Sequence, residues 1–235
     1  MSASFESIIH AATLPYVRAG RYPYHFACGK LRYDPVFRAI LKDGLLPSNG
    51  RLIDVGCGLG VLSALLIAAR NQYQIGNWEP DWPIPPQNIE LYSVELLDWK
   101  VKAAKQALGD STVIHQGDIR NCEFPDCSAV IILDVLLYLN ADEQRHVLQR
   151  IADSLQRGGI LLLREGNAAD GLRYHITRLA EQICRLWRGQ DWRTLHYRST
   201  AEWIALLEEQ GFSVDAQPMS QGTPFSNVLF RAVRN

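Results

Sequence analysis

The chain has 235 residues, 47% hydrophobic and 21% charged, a globular composition with room for one sizeable core. A formal net charge of −1 argues against a nucleic-acid partner, and five cysteines with no CxxC spacing argue against a disulfide framework or a zinc site. The longest apolar run, Ala129 to Leu139, is interrupted by Asp134 and is too short to span a bilayer.

The N-terminal stretch MSASFESIIHAATLPY has neither a basic leader region nor a long apolar core, so no secretory signal is expected and a reducing cytoplasm is the expected compartment. Residues 1–50 read as a mostly helical cap ending in the turn-rich GLLPSNG, ahead of a domain over 51–235. The cap holds a basic segment, with six basic residues between Tyr16 and Asp43 against Asp34 and Asp43. From Arg51 onward, short apolar runs alternate with helical patterns. Arg51–Val55, Ile89–Glu95, Thr112–Gln116, Ala129–Asp134 and Gly159–Glu165 read as strands, continuously apolar as in a parallel sheet covered on both faces. Helices are predicted after the first, second and fourth strands, the last running from Ala141 to a stop at Gly158–Gly159. The insertion 71–88, with Trp78, Trp82 and several prolines, reads as an ordered surface excursion. After the fifth strand an amphipathic lid helix is predicted from Gly171 to about Arg188, with Leu172, Ile176, Leu179, Ile183 and Leu186 on one face. It lies in a second basic segment, six basic residues between Gly171 and Arg198 against Glu181 and Asp191. A helix capped by Ser199 or Thr200 and stopped by Gly211 follows, then two strands, FSVDAQ and SNVLFRAV, expected as an antiparallel pair. The pattern as a whole predicts a seven-stranded, Rossmann-like, doubly wound α/β sheet with an N-terminal helical segment.

The first strand ends in LIDVGCGLG, with Asp54 followed by Gly56, Gly58 and Gly60. Glycines directly after a buried strand let a ligand approach the backbone in front of the next helix N-terminus. A phosphate loop would need GxxxxGK[ST], which is absent, and a dinucleotide fingerprint would need glycine where Val61 stands.

The D-x-G-x-G-x-G pattern resembles the first motif of class I S-adenosylmethionine-dependent methyltransferases. Later positions extend the resemblance in order: Glu95 at the end of strand two, Asp118–Ile119 after strand three, Asp134 in LDVLLYL, and LQRGGILLLRE, where Arg157 replaces the usual proline of a turn. The resemblance implies S-adenosyl-L-methionine as cofactor and no metal. It implies that Gly56, Cys57, Gly58 and Gly60 border the cofactor, that Glu95 and neighbouring Leu96 face its ribose, that Asp118 and Ile119 face its adenine, and that Asp134 lies near its methionine end. Asp54 is expected to orient the glycine loop. A bidentate carboxylate suits a ribose diol, and anionic oxygen suits a sulfonium. Flanking phrases, YHFACGKLRYDPVF and MSQGTPFSNVLF among them, resemble methyltransferases of bacterial aryl polyene biosynthesis clusters, implying a phenolic acceptor of secondary metabolism.

Aromatic residues suit a planar acceptor, and a phenol must lose a proton before it attacks a methyl group. Candidate catalytic residues are His25, His196 and Glu165 as bases and Tyr138 at the end of strand four, with Tyr22, Tyr24, Phe26, Arg173, Tyr174, His175 and Tyr197 also in acceptor positions. Lys30 and Arg32 are candidates for the methionine carboxylate. A small-molecule acceptor is expected, free or tethered to an acyl carrier protein docked on the basic segments; a solvated face of the lid helix is the other reading of that charge, and a membrane-surface role a third. Alternatives are O- or N-methylation of an unrelated small molecule, or a cofactor-binding subunit without catalysis. A nucleic-acid methyltransferase is disfavoured by DVLLY where an NPPY-type motif would stand.

Overall fold

The computed structural model describes residues 3–171, 174–177, 179 and 195–235. Its strands are β1 (Asn49–Val55), β2 (Asn88–Glu95), β3 (Val113–Gln116), β4 (Cys127–Leu133), β5 (Leu155–Gly166), β6 (Phe212–Pro218) and β7 (Asn227–Arg234). They form one seven-stranded sheet in the order β3-β2-β1-β4-β5-β7-β6. The first five pair in parallel, and β7 runs antiparallel between β5 and β6. The two C-terminal runs therefore pair antiparallel as expected, with β6 at the sheet edge.

Strand parity divides the core in two. Leu52, Ile131, Leu162 and Leu229 point to one face, where they pack with α1 (Ala3–Thr13), α2 (Arg21–Tyr33), α3 (Pro35–Lys42), α4 (Val61–Gln74) and α5 (Asp98–Leu108). Ile53, Val130, Ile132, Leu161, Leu163 and Phe230 point to the other, against α6 (Ala141–Ser154) and α7 (Thr200–Glu209). The cap region thus shares one apolar core with the sheet. Asn140 and Ser199 each close a capping box, on α6 and α7 respectively.

Two boundaries differ from the sequence reading. α6 stops at Ser154 rather than at the glycine pair, because Leu155 already pairs with Cys127 in the sheet. The extra strand length is absorbed by a register shift between Cys127 and Ala129. Most of the expected lid helix, including Leu172, Arg173, Arg178, Ile183 and Leu186, lies outside the described residues; Gly171, Tyr174–Thr177 and Leu179 are helical.

The 71–88 excursion is held by rings. Trp78 and Trp82 meet edge to face at 5.7 Å, Trp82 lies 5.6 Å from Phe5 of α1, and Arg38 of α3 sits 5.8 Å from the Trp82 ring centre. The excursion therefore staples the cap helices to the end of α4. Among the described residues no helix is long and apolar enough to cross a membrane.

Candidate active site

β1 and β4 are neighbours whose following helices leave to opposite faces of the sheet, which opens a crevice at their carboxyl ends. A cavity of about 540 Å³ lies there. The glycine loop forms its floor. Gly56 and Cys57 donate their N–H groups to Val94 O at 2.8 and 3.1 Å, and Gly58 donates to Glu95 Oε2 at 2.9 Å. From behind, buried Tyr16 donates its hydroxyl to Leu59 O at 2.8 Å. A Cβ on Gly56 would stand 2.5 Å from Val135 Cγ2, so this glycine is what lets the loop and the segment after β4 approach each other.

Three acids stand around this floor. Asp54 is 5% exposed and faces the cavity, yet its Oδ2 has no hydrogen-bond partner among the described residues. Burial, reinforced by the charge of Glu95, pushes its carboxyl up to about 7. The loop-orienting work expected of Asp54 is carried by Glu95, Val94 and Tyr16. Glu95 also accepts the Leu97 N–H at 2.9 Å and has Lys100 Nζ at 3.7 Å. Asp118 is clasped by Arg120, whose Nε lies 3.0 Å from both carboxylate oxygens and whose Nη1 reaches Glu143 of α6 at 2.8 Å.

The opposite wall is an ion cluster. Arg164, 1% exposed, sits between Asp34 and Asp134 and binds both carboxylates. Lys30 Nζ lies 3.0 Å from Asp34 and 3.9 Å from Asp134. Burial opposes the charge on Asp34, but Arg164 and Lys30 prevail and hold its carboxyl down at about 2. Burial opposes the Arg164 cation as well, and the two aspartates keep it charged. Asp34 also caps α3, accepting the Val36 N–H. Asp134 is left-handed, with φ of 60°.

All the expected cofactor residues except Gly60 line the cavity: Asp54, Gly56, Cys57, Gly58, Glu95, Leu96, Asp118, Ile119 and Asp134. Gly60 instead packs at the start of α4, with φ of 74° and Leu108 Cδ1 2.8 Å from where a Cβ would be. Of the catalytic candidates, Tyr138 lines the cavity and the other three do not. His25 is exposed on α2, one position before the Phe26–Lys30 stripe that faces inward. His196 is fixed behind the turn after β4, its N–H on Leu137 O at 2.8 Å and its carbonyl receiving Gln144 Nε2. Glu165 points to the sheet face opposite Arg164. Arg32 pairs with Glu6 at 2.9 Å, away from the cavity that Lys30 lines. Sequence reasoning missed Arg164, Asp34, Phe37, Lys100, Arg120 and Tyr16. The available signals were a basic residue ending an otherwise apolar strand and an Asp-Pro pair opening a helix.

The profile of a family described as "Methyltransferase domain" matches residues 30–217. A carboxy-S-adenosyl-L-methionine synthase of Chromohalobacter salexigens is 28% identical over 131 residues, covering 54% of this chain and 43% of that protein. The chain spans about half the length of the curated relatives it matches. An O-methyltransferase family protein from Burkholderia thailandensis superposes over 90% of this chain and 59% of its own, with TM-score 0.64 and 16% identity. Human N-acetylserotonin methyltransferase, solved with S-adenosylmethionine, covers all of this chain and 59% of its own, with TM-score 0.63 and 16% identity. At such identities these two likenesses speak to the fold.

Proposed function

The chain belongs to the methyltransferase domain family, and from that premise we propose that it is a class I S-adenosylmethionine-dependent methyltransferase whose cavity holds the cofactor and presents it to a small aromatic acceptor. One observation carries the placement: at the topological switch point the cavity gathers Asp54, Glu95, Asp118 and Asp134 around glycines, and one of these acids keeps a buried oxygen unpartnered. A positively charged ligand in that cavity would offset the charge of these acids. Glu95 keeps lone pairs for a ribose diol while holding two backbone amides. Leu96 and Ile119 offer apolar contact to a base beside Asp118.

When bound, the cofactor supplies an electrophilic methyl group on a positively charged sulfur. Phe26, Phe37 and Tyr138 border the cavity and suit a flat ring. Among the described residues no histidine lines the cavity, which favours in-line positioning of the acceptor over a dedicated imidazole base. Lys30 lines the cavity and is the residue we propose for the carboxylate at the methionine end. The finer acceptor we propose is the phenolic head group of an aryl polyene acid, free or carrier-bound, on the strength of the flanking phrases. The test is transfer of labelled methyl to 4-hydroxyphenyl acids, free and loaded on an acyl carrier protein, at low and high salt. Transfer to the phenol, at its oxygen or a ring carbon, is the expected result; no transfer to any aryl acceptor refutes the aromatic reading.

A second reading concerns the donor. Two cations, Lys30 and Arg164, line the cavity beside Asp134, and the similar curated proteins are carboxy-S-adenosyl-L-methionine synthases. An added carboxylate on the cofactor would reach those cations by exchanging with Asp34 or Asp134, which pair with them. Competition of the carboxylated and plain cofactors for the protein separates the two donors.

A further inference from the structure

Glu165 is an acid that methyl transfer does not use. It lies at the carboxyl end of β5, 1% exposed, on the face shared with Leu161 and Leu163 and away from the cavity. Its Oε1 accepts two successive backbone N–H groups, from Val135 at 3.1 Å and Leu136 at 2.7 Å. The preceding amide, Asp134 N–H, is bound by Arg164 O at 3.0 Å. Two adjacent β5 residues therefore take three consecutive amides of the turn that leads into Tyr138. That turn needs holding. Asp134 sits in a left-handed conformation that a non-glycine residue adopts at a cost of about 1 kcal/mol. Val135 fills the space above Gly56, and Tyr138 and Leu139 complete the cavity wall.

We propose that Glu165 is a positioning residue that fixes the Asp134–Tyr138 turn against the glycine loop from behind the cavity. Burial, and then the charge of Asp134, hold its carboxyl well above the usual carboxylate range, although the two amides and Arg164 pull the other way. Its second oxygen, Oε2, is buried with no hydrogen-bond partner among the described residues, where a bare charge would be costly. Asp34 and Lys30 complete the charged surroundings through Arg164. A protonated carboxyl keeps one oxygen free to accept both amides, as a glutamine side chain would.

This rests on the reading that the cavity holds the cofactor, and the test separates the two. Glu165→Gln, Glu165→Met and Glu165→Asp are compared with the wild type by calorimetry with S-adenosylhomocysteine at pH 7 and by hydrogen exchange of peptides covering 133–139. Glutamine supplies the same acceptor, so affinity and turn protection are expected to stay within about threefold of wild type. Methionine keeps the volume but accepts nothing, so affinity is expected to fall about tenfold, and exchange in the turn to rise at least about tenfold, with β4 and β5 protection unchanged. Should the methionine variant fail to fold, the aspartate variant decides: its shorter reach should cost affinity about tenfold in a folded protein. A methionine or, in its absence, an aspartate variant that binds like wild type overturns the proposal, as does a glutamine variant that fails like methionine. If the wild type binds no S-adenosylhomocysteine, the cofactor assignment falls instead, and the exchange data still report on the turn.

Discussion

With the cofactor in the cavity as proposed, its binding should release a proton from Asp54. The Asp54 carboxyl stands at about 7, raised from 3.8 by burial and then by Glu95. A cation bound in the cavity that Asp54 lines favours the ionised form, so the carboxyl falls on binding and a proton leaves. Below pH 7 the affinity then rises about tenfold per pH unit and levels off above it. If the bound carboxyl returns near its ordinary value, the dissociation constant at pH 5 is about 100-fold weaker than at pH 8. Calorimetry with S-adenosylmethionine in buffers of different ionisation enthalpy reads both quantities, the slope of affinity and the proton released. The sign for stability is the reverse. A carboxyl raised in the folded state contributes stability below its unfolded value near 4, and that contribution is lost as pH rises through about 7. The span corresponds to on the order of 4 kcal/mol, so the ligand-free protein should melt at lower temperature at pH 8 than at pH 5 on this account. Asp54→Asn removes both effects: flat affinity, no proton release, and a gain in melting temperature that grows from about pH 4 and is complete above about pH 7. Proton uptake on binding, or affinity independent of pH between 5 and 7 in the wild type, refutes the reasoning.

Two further changes probe the scaffold. Gly60→Ala puts a Cβ 2.8 Å from Leu108 Cδ1 at a φ of 74°; a loss of about 1–3 kcal/mol is expected, read as a lower thermal midpoint, and an unchanged midpoint would show that Leu108 yields freely. Arg150 of α6 donates to Ile119 O at 3.0 Å, to Arg120 O at 2.9 Å and to Cys122 O, and lies 5.0 Å from the Phe124 ring centre. Arg150→Lys loses the planar fork, so adenosine affinity should weaken about tenfold while the fold persists; equal adenosine binding would remove Arg150 from control of the adenine side.

How much of this was legible in the sequence depended on what each residue's role required. Asp54, the glycines, Glu95, Asp118 and Asp134 lie at or just past strand ends, and a parallel sheet brings its strand ends to one edge. Order along the chain was therefore enough to bring them together. His25 and His196 have suitable chemistry, but nothing local in the sequence fixes their direction. On α2 the buried residues are Pro23, Ala27 and Leu31, and the cavity-facing ones Phe26 and Lys30, which leaves His25 on the wet side. His196 lies beyond the segment 180–194 and is placed by backbone bonds to Leu137 and Gln144, long-range contacts with no local signature.

The choice between Arg164 and Glu165 was within reach of the sequence. Alternation sends residues of opposite parity to opposite faces of a strand. In β1, Leu52 and Asp54 share a parity; in β2, Leu91 and Glu95; in β4, Ile131 and Leu133; in β5, Leu162 and Arg164. Leu52, Leu91, Ile131 and Leu162 all pack on the α1–α5 side, and their strand-end partners Asp54, Glu95, Leu133 and Arg164 all border the cavity. The cavity is the continuation of one core face past the strand ends. Glu165 continues the other face, with Leu161 and Leu163, and so meets the back of the Asp134 turn instead of a substrate. Once the glycine loop had assigned Asp54 to the cavity, counting by twos along β5 would have admitted the arginine and excluded the glutamate. A buried charge of that sign then requires acids opposite it, and Asp34 from the cap and Asp134 from the turn after β4 are what the chain supplies.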